Sequence, residues 1–168
     1  MAFLALGQVG CAGELRRDDP SATEDEHVVV DWVGDGDSLR LVDGRELRLL
    51  QIDAPELHGD CYGKAASLAL RRLTPRGTHV RIVADPRLDR RDSYGRLLRY
   101  VFIRRRNIGV ELVRAGAASP YFFRNQRGRY AADLLDAVAQ ARQSRRGFWK
   151  ACPGARLEPG IGSVTGHS

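Results

Sequence analysis

The chain has 168 residues, a length typical of one domain with short appendages, and this excludes a multidomain assembly. Hydrophobic residues make up 43% and charged residues 29% of the sequence, as in a globular protein. No apolar run approaches the roughly 18 residues that span a bilayer, so we expect no transmembrane span. The net charge is +6, and 25 of the 27 basic residues are arginine. A basic, arginine-rich surface favours the binding of polyanions. A GC-rich coding sequence, however, produces the same excess of arginine over lysine without a functional cause.

The charge divides the chain into three zones. Residues 1–26 carry a net charge of −4, residues 27–150 a net charge of +10, and residues 151–168 a net charge of zero. The apolar start followed by Cys11 resembles a shortened bacterial lipoprotein signal, and the alternative is a frayed terminus with an incidental cysteine. We therefore expect residues 1–26 to be a leader and acidic tether, with Cys11 lipidated and the protein secreted or attached to the cell envelope. Residues 152–168 lack periodicity and predict a flexible tail.

Residues 27–151 are expected to form one folded domain. Apolar alternation, turn signals and helical periodicity predict its elements in chain order. These are strands at 27–33, 37–42 and 46–52, a helix at 64–73, strands at 78–83 and 97–103, and helices at 107–114 and 130–146. Asp43 and Gly44 form a hairpin signal between the second and third strands. The order indicates an α+β fold dominated by a small five-stranded Greek-key barrel with three helices.

Two clusters of carboxylates stand out in this basic domain, at Asp35–Ser38 and at Asp53–Glu56. An ordinary Asp-Gly turn is a sufficient explanation for the first cluster alone. If the first three strands form a meander, however, the first turn and the end of the third strand lie at the same rim. Asp37 and Asp53 would then face each other and could hold a hard cation, with Glu56 close enough to deprotonate a water molecule.

Arginines accompany these carboxylates. Arg48 interrupts an apolar strand and requires an anionic partner, because an unpaired buried charge is unfavourable. The segment Arg90–Arg96 precedes the fifth strand, where a solvated charge run is the alternative interpretation. Arginines beside a carboxylate pair and a glutamate are the groups that phosphoryl transfer requires.

Six motifs follow one another in an order that resembles a known family. They are DGDS at 35–38, RLLQIDAPE at 48–56, YG at 62–63, DSYGRL at 92–97, LVRAG at 112–116 and GFW at 147–149. The set is similar to the thermonuclease, or staphylococcal nuclease-like, family and covers residues 27–150. Each motif alone is weakly specific, whereas the ordered set is strongly specific.

The resemblance implies an OB-type barrel and a calcium-dependent endonuclease that hydrolyses DNA and RNA, with single-stranded or accessible chains as its substrates. The implied Ca²⁺ ligands are the carboxylates of Asp37 and Asp53 and the backbone carbonyl of Ala54. The implied catalytic residues are Glu56 as general base and Arg48 and Arg96 as phosphate clamps. Tyr94 is implied to contact a terminal phosphate. Tyr121 and Phe123 are implied to stack on a base, although core packing is an equally good explanation for the aromatic residues at 121–123.

Cysteine positions add an expectation about compartment. Cys61 and Cys152 flank the folded zone, and a disulfide between them suits an exported protein, whereas two buried thiols are the alternative. No cysteine and histidine spacing indicates zinc. We expect a monomer. A non-catalytic OB module that binds nucleic acid or protein at the cell surface is the alternative function, which the filled carboxylate and arginine positions disfavour.

Overall fold

The computed structural model of the protein describes residues 25–166. The strands are β1 (Asp25–Val33), β2 (Ser38–Leu41), β3 (Glu46–Leu49), β4 (Ile52–Asp53), β5 (His79–Val83), β6 (Leu97–Ile103), β7 (Arg106–Asn107), β8 (Ser119–Pro120), β9 (Arg156–Glu158) and β10 (Gly162–Val164). The helices are α1 (Gly63–Leu73), α2 (Ile108–Arg114), α3 (Ala131–Gln143) and the single turn α4 (Phe148–Ala151). None of these helices, within the described range, is long and apolar enough to cross a membrane.

Five strands close into a barrel. The sheet runs in the order β3-β2-β1-β5-β6, and β6 returns to pair with β3 in parallel, so that no edge of the barrel stays open. Alternate residues of each strand point inward, which places Val30, Leu41, Leu47, Ile82 and Val101 in the core. The predicted five-stranded OB-type barrel with three helices is thereby confirmed.

The helices pack beside the barrel and complete its core. Asn107 caps α2, its side-chain oxygen accepting hydrogen bonds from the backbone N–H groups of Gly109 and Val110. Helix α3 buries Leu134 and Val138, one helical turn apart, as the periodicity predicted. Cys61 and Cys152 form a disulfide in the structure, as expected, with their Cα atoms 5.9 Å apart. The bridge joins the chain just after α4 to the chain just before α1.

The structure differs from the sequence predictions in the third strand. Its predicted range, 46–52, is divided between β3 and β4, because Gln51 adopts a left-handed backbone conformation with φ of 61°. The Gln51 side chain supports this break, since its amide donates to the carbonyl of Gln126 and its oxygen accepts from Tyr100. The chain therefore leaves the barrel wall two residues before Asp53.

The two ends of the described chain also differ from the predictions. Asp25 and Glu26, assigned to the acidic tether, belong to β1, where Glu26 forms an ion pair with Arg45. The predicted tail contains β9 and β10, which pair as an antiparallel hairpin. Cys11 and the rest of the leader lie outside the described residues.

Candidate functional site

The first acidic turn lies directly against the second acidic segment. Gly36 makes this approach possible, because a Cβ at that position would stand 2.5 Å from the Cβ of Ala54. Asp37 Oδ2 accepts a hydrogen bond from the Ala54 backbone N–H at 3.1 Å. The backbone carbonyl of Asp37 accepts from Leu49 N–H at 2.8 Å, which ties the turn to the end of β3. The structure thus brings Asp37 and the Asp53–Ala54 peptide together, as the meander predicted.

Arg48 joins the two carboxylates. Its Nη2 atom lies 3.0 Å from Asp37 Oδ2 and 2.5 Å from Asp53 Oδ1, and its Nη1 atom donates to the carbonyl of Ile52 at 3.1 Å. The guanidinium also lies over the ring of Tyr121, 5.7 Å from the ring centroid. The anionic partner that this strand arginine required is therefore a carboxylate pair.

The cluster carries more negative than positive charge. Asp37 is buried, and desolvation raises its pKa to about 7, although Arg48 opposes the rise. Burial also raises the pKa of Asp53, against the Ser163 N–H and Arg48, which favour its charged form. For Arg48, burial alone would lower the pKa, but Asp37 and Asp53 outweigh it and the pKa is raised. The charge of one guanidinium is therefore opposed by three carboxylates. Arg48 pairs with Asp37 and Asp53, and the nearby charge of Asp35 also acts on this cluster.

This excess of negative charge suits a hard cation. Within residues 25–166, no three Asp, Glu, His or Cys side chains converge as a complete metal site. The oxygen donors at hand are the carboxylates of Asp37 and Asp53 and the backbone carbonyl of Ala54, a set that fits Ca²⁺ when water completes the shell. Arg48 donates one hydrogen bond to Asp53 Oδ1, and the Ser163 backbone N–H donates one to Oδ2. Each carboxylate oxygen keeps a second lone pair that a cation can use.

Arg96 approaches the same turn from the β5–β6 connection. Its Nε donates to Asp92 Oδ2 at 2.7 Å, and its Nη1 donates to the Ser38 hydroxyl at 3.2 Å. The Asp92 carboxylate also accepts from the backbone N–H of Tyr94, which folds the loop around Gly95. Tyr94 is 85% exposed, and the Arg96 guanidinium lies over its ring. The side chains of Asp92 and Ser38 thus orient Arg96, roles that the sequence motifs did not reveal.

A cleft of about 530 Å³ collects most of the predicted substrate-contacting residues. The predicted residues in its lining are Arg48, Asp53, Tyr94, Arg96, Tyr121 and Phe123. The aromatic segment divides its roles, since Phe122 is buried in the core while Tyr121 and Phe123 face the cleft. The two rings stand 6.4 Å apart, and Phe123 is 49% exposed. Exposed aromatic rings beside guanidinium groups are typical of surfaces that stack nucleobases.

Glu56 lines a second cleft, of about 350 Å³, which shares Arg96 with the first. The glutamate is exposed, and its backbone N–H donates to Asp60 Oδ2. Partial burial raises its pKa, and the nearby charges of Asp35 and Asp53 raise it further. Gly63, at the start of α1, allows the Glu56 backbone to pass, because a Cβ there would lie against the Glu56 carbonyl. Glu56 and the aromatic rings therefore line two different clefts, and Arg96 borders both of them.

The C-terminal hairpin, whose residues were predicted to form a flexible tail, also reaches the site. Ser163 contacts Asp53, and Ile161 lines the larger cleft. A Pro-Gly pair at 159–160, between short stretches that contain Leu157 and Ile161, is a turn signal that could have predicted a hairpin here. The tail's glycine content concealed this signal.

Comparison with known proteins agrees with this geometry. Residues 46–151 match the family described as staphylococcal nuclease homologue. Among curated proteins, the chain is 28% identical over 131 residues to a Bacillus subtilis (strain 168) protein named endonuclease YncB. That match covers 73% of this chain and 61% of the relative, so the chain spans less than two thirds of the length of the relative it resembles.

Proposed function

The chain belongs to the staphylococcal nuclease homologue family, and from this we propose that it is a calcium-dependent endonuclease that hydrolyses phosphodiester bonds in DNA and RNA. One observation carries the proposal. The pair Asp37 and Asp53, bridged by Arg48, lies beside a cleft that also presents Arg96 and exposed aromatic rings. A non-catalytic binding module has no need of a buried carboxyl such as Asp37 beside a second carboxylate, Asp53, whose charge raises the pKa of the first.

The two arginines act on the phosphate from two sides. Arg48 is held by carboxylates and Arg96 by Asp92, so both guanidinium groups are oriented before substrate binds. Each has further N–H groups for a phosphate oxygen, and preorganised donors stabilise the charge that develops there. A Ca²⁺ ion bound at Asp37, Asp53 and the Ala54 carbonyl would polarise a phosphate oxygen.

Glu56 serves as the general base. Its raised pKa makes the carboxylate a better proton acceptor than an ordinary surface glutamate, and its position beside Arg96 suits a water that attacks the clamped phosphate. The water's proton passes to a Glu56 oxygen as the new P–O bond forms. The bond from phosphorus to the 5′-oxygen breaks, and that oxygen leaves with the electron pair and takes up a proton from solvent. Tyr94 contacts the phosphate, while Tyr121 and Phe123 stack on bases of a single-stranded chain, which explains a preference for accessible nucleic acid.

We propose an extracytoplasmic place of action as part of this function. The Cys61–Cys152 disulfide is the kind of bond that persists in oxidising compartments. A calcium site with few protein ligands is weak, with a dissociation constant of roughly 10⁻⁴–10⁻³ M, and fills only where calcium is abundant. Lipidation at Cys11 would anchor the protein there, and mass spectrometry of the mature protein from a bacterial host tests this directly.

The test of activity compares single-stranded DNA and RNA digestion in Ca²⁺ and in a chelator. We expect cleavage only with the metal, and Glu56→Gln should lower kcat by roughly a hundredfold to ten-thousandfold. Glu111→Gln is the matched control, since this helix α2 glutamate pairs with Arg114 and lines neither of the two clefts described above. Near-normal cleavage by Glu56→Gln would refute its role. Tight, salt-dependent oligonucleotide binding without turnover in any divalent metal would favour the non-catalytic alternative.

A further inference from the structure

The C-terminal hairpin is attached to the rest of the protein at several points. Its segment begins at Cys152, which is joined to Cys61, and ends at Gly166, whose carbonyl accepts from the Cys61 backbone N–H at 2.9 Å. Between these ends, the carbonyl of Pro159 accepts from Phe122 N–H at 2.6 Å. Both ends of the segment therefore meet at Cys61, and its middle is fixed to the loop that carries the cleft aromatics.

Within this segment, Gly162 and Ser163 lie on Asp53. The Ser163 backbone N–H donates to Asp53 Oδ2, and its hydroxyl donates to the Asp53 carbonyl, both at 2.7 Å. Gly162 is buried with φ of 114°, and a Cβ there would stand 2.4 Å from Asp53 Oδ2. Only glycine permits so close an approach.

Asp53 has little other support from its own strand. Strand β4 has two residues, and its partner strand β8 offers Ser119 and Pro120. A pairing of two residues on each side gives this strand few ladder contacts. Among residues 25–166, the other hydrogen-bond donor to the Asp53 side chain is Arg48, at Oδ1. The hairpin therefore holds Oδ2, and Arg48 holds Oδ1.

We propose that the C-terminal hairpin is a working part of the active-site cleft, in which Ser163 is a positioning residue that holds Asp53 in its metal-binding orientation. The inference rests on the proposed function. An N–H donated to Oδ2 stabilises the charged carboxylate and leaves one lone pair on each oxygen for a cation. Ile161, 70% exposed, adds an apolar wall to the same cleft. Hydrogen-bond partners of metal ligands commonly change metal affinity tenfold to a hundredfold when removed.

The experiment places a Cβ between the hairpin and Asp53 with Gly162→Ala. Its matched control is Gly44→Ala, a glycine in the β2–β3 turn with φ of 86° and no atom within 4 Å of an added Cβ. Calcium affinity is measured by titration calorimetry, and kcat and KM for single-stranded DNA are measured separately. We expect Gly162→Ala to bind Ca²⁺ roughly tenfold more weakly and to lose kcat at a fixed calcium concentration, with KM changed less than threefold. Gly44→Ala should match the wild type in all three values.

The outcomes separate this inference from the proposed function. Gly162→Ala that binds Ca²⁺ as tightly as the wild type, or more tightly, overturns the positioning role even if the wild type is an active nuclease. A wild type that binds Ca²⁺ but cleaves nothing overturns the proposed function, and weaker binding by Gly162→Ala would still support the hairpin's hold on Asp53. A wild type that binds no Ca²⁺ overturns both. If Gly162→Ala fails to fold, Ser163→Ala removes only the hydroxyl bond; a two- to fivefold loss of calcium affinity then supports the inference, and unchanged affinity refutes it.

Discussion

Burial of the Asp37 carboxyl predicts that the metal-free protein loses stability as the pH rises. The folded protein holds this proton up to about pH 7, whereas the unfolded chain releases it near 3.8. Between those values the folded state binds more protons than the unfolded state, so the free energy of unfolding falls with rising pH. At about 1.4 kcal/mol for each pH unit, the loss from Asp37 reaches on the order of 4 kcal/mol by pH 8.

Asp37→Asn isolates this effect, because asparagine keeps the size of the side chain and an oxygen that can accept from Ala54 N–H. Asp43 and Asp92 have lowered pKa values and contribute in the opposite sense, but they do so equally in both proteins. The assay is urea unfolding in a chelator at several pH values from 4 to 8. From pH 4 to pH 8, the free energy of unfolding should fall by a few kcal/mol more in the wild type than in Asp37→Asn. Parallel curves for the two proteins would refute the reasoning.

Calcium should reverse the effect in the wild type alone. Cation binding requires the deprotonated carboxylate, so added Ca²⁺ should stabilise the wild type at pH 8 more than at pH 5. Asp37→Asn should gain little at either pH. A variant stabilised by calcium as strongly as the wild type would show that the ion binds elsewhere.

Two further predictions concern the cleft. Arg96→Lys should lower kcat roughly a hundredfold while the melting temperature stays within a few degrees, because lysine cannot reproduce the planar fork that clamps a phosphate; a loss below fivefold in steady-state kinetics would contradict this role. Phe123→Ala should raise KM for single-stranded DNA roughly tenfold with little change in stability, since one stacking ring is lost. Phe122→Ala, by contrast, should lower the unfolding free energy by about 3–5 kcal/mol, because Phe122 is 3% exposed. If Phe123→Ala and Phe122→Ala weakened binding equally at unchanged stability, the assignment of Phe122 to the core and Phe123 to the cleft would be wrong.

Local sequence signals were sufficient for the barrel and for the convergence of its acidic turns. Alternating apolar residues and the Asp43–Gly44 turn predict the meander, and a meander necessarily returns its third strand to the rim where the first turn lies. The pairing of Asp37 with Asp53 through Arg48 follows from that return, as does the need of a strand arginine for an anionic partner.

Tertiary structure alone decided three features. The break at Gln51 arises because Gln126 and Tyr100, distant in sequence, bind its side chain and outweigh the strand propensity of its neighbours. The separation of buried Phe122 from exposed Phe123 depends on which side of one loop faces the barrel, a choice that residue type does not encode. The hold of Ser163 on Asp53 joins residues 110 positions apart. Contacts of that span depend on packing and on the Cys61–Cys152 bridge rather than on any local pattern. The charge of +10 on residues 27–150 indicated a polyanion partner, and the fold added which basic and aromatic side chains share one cleft.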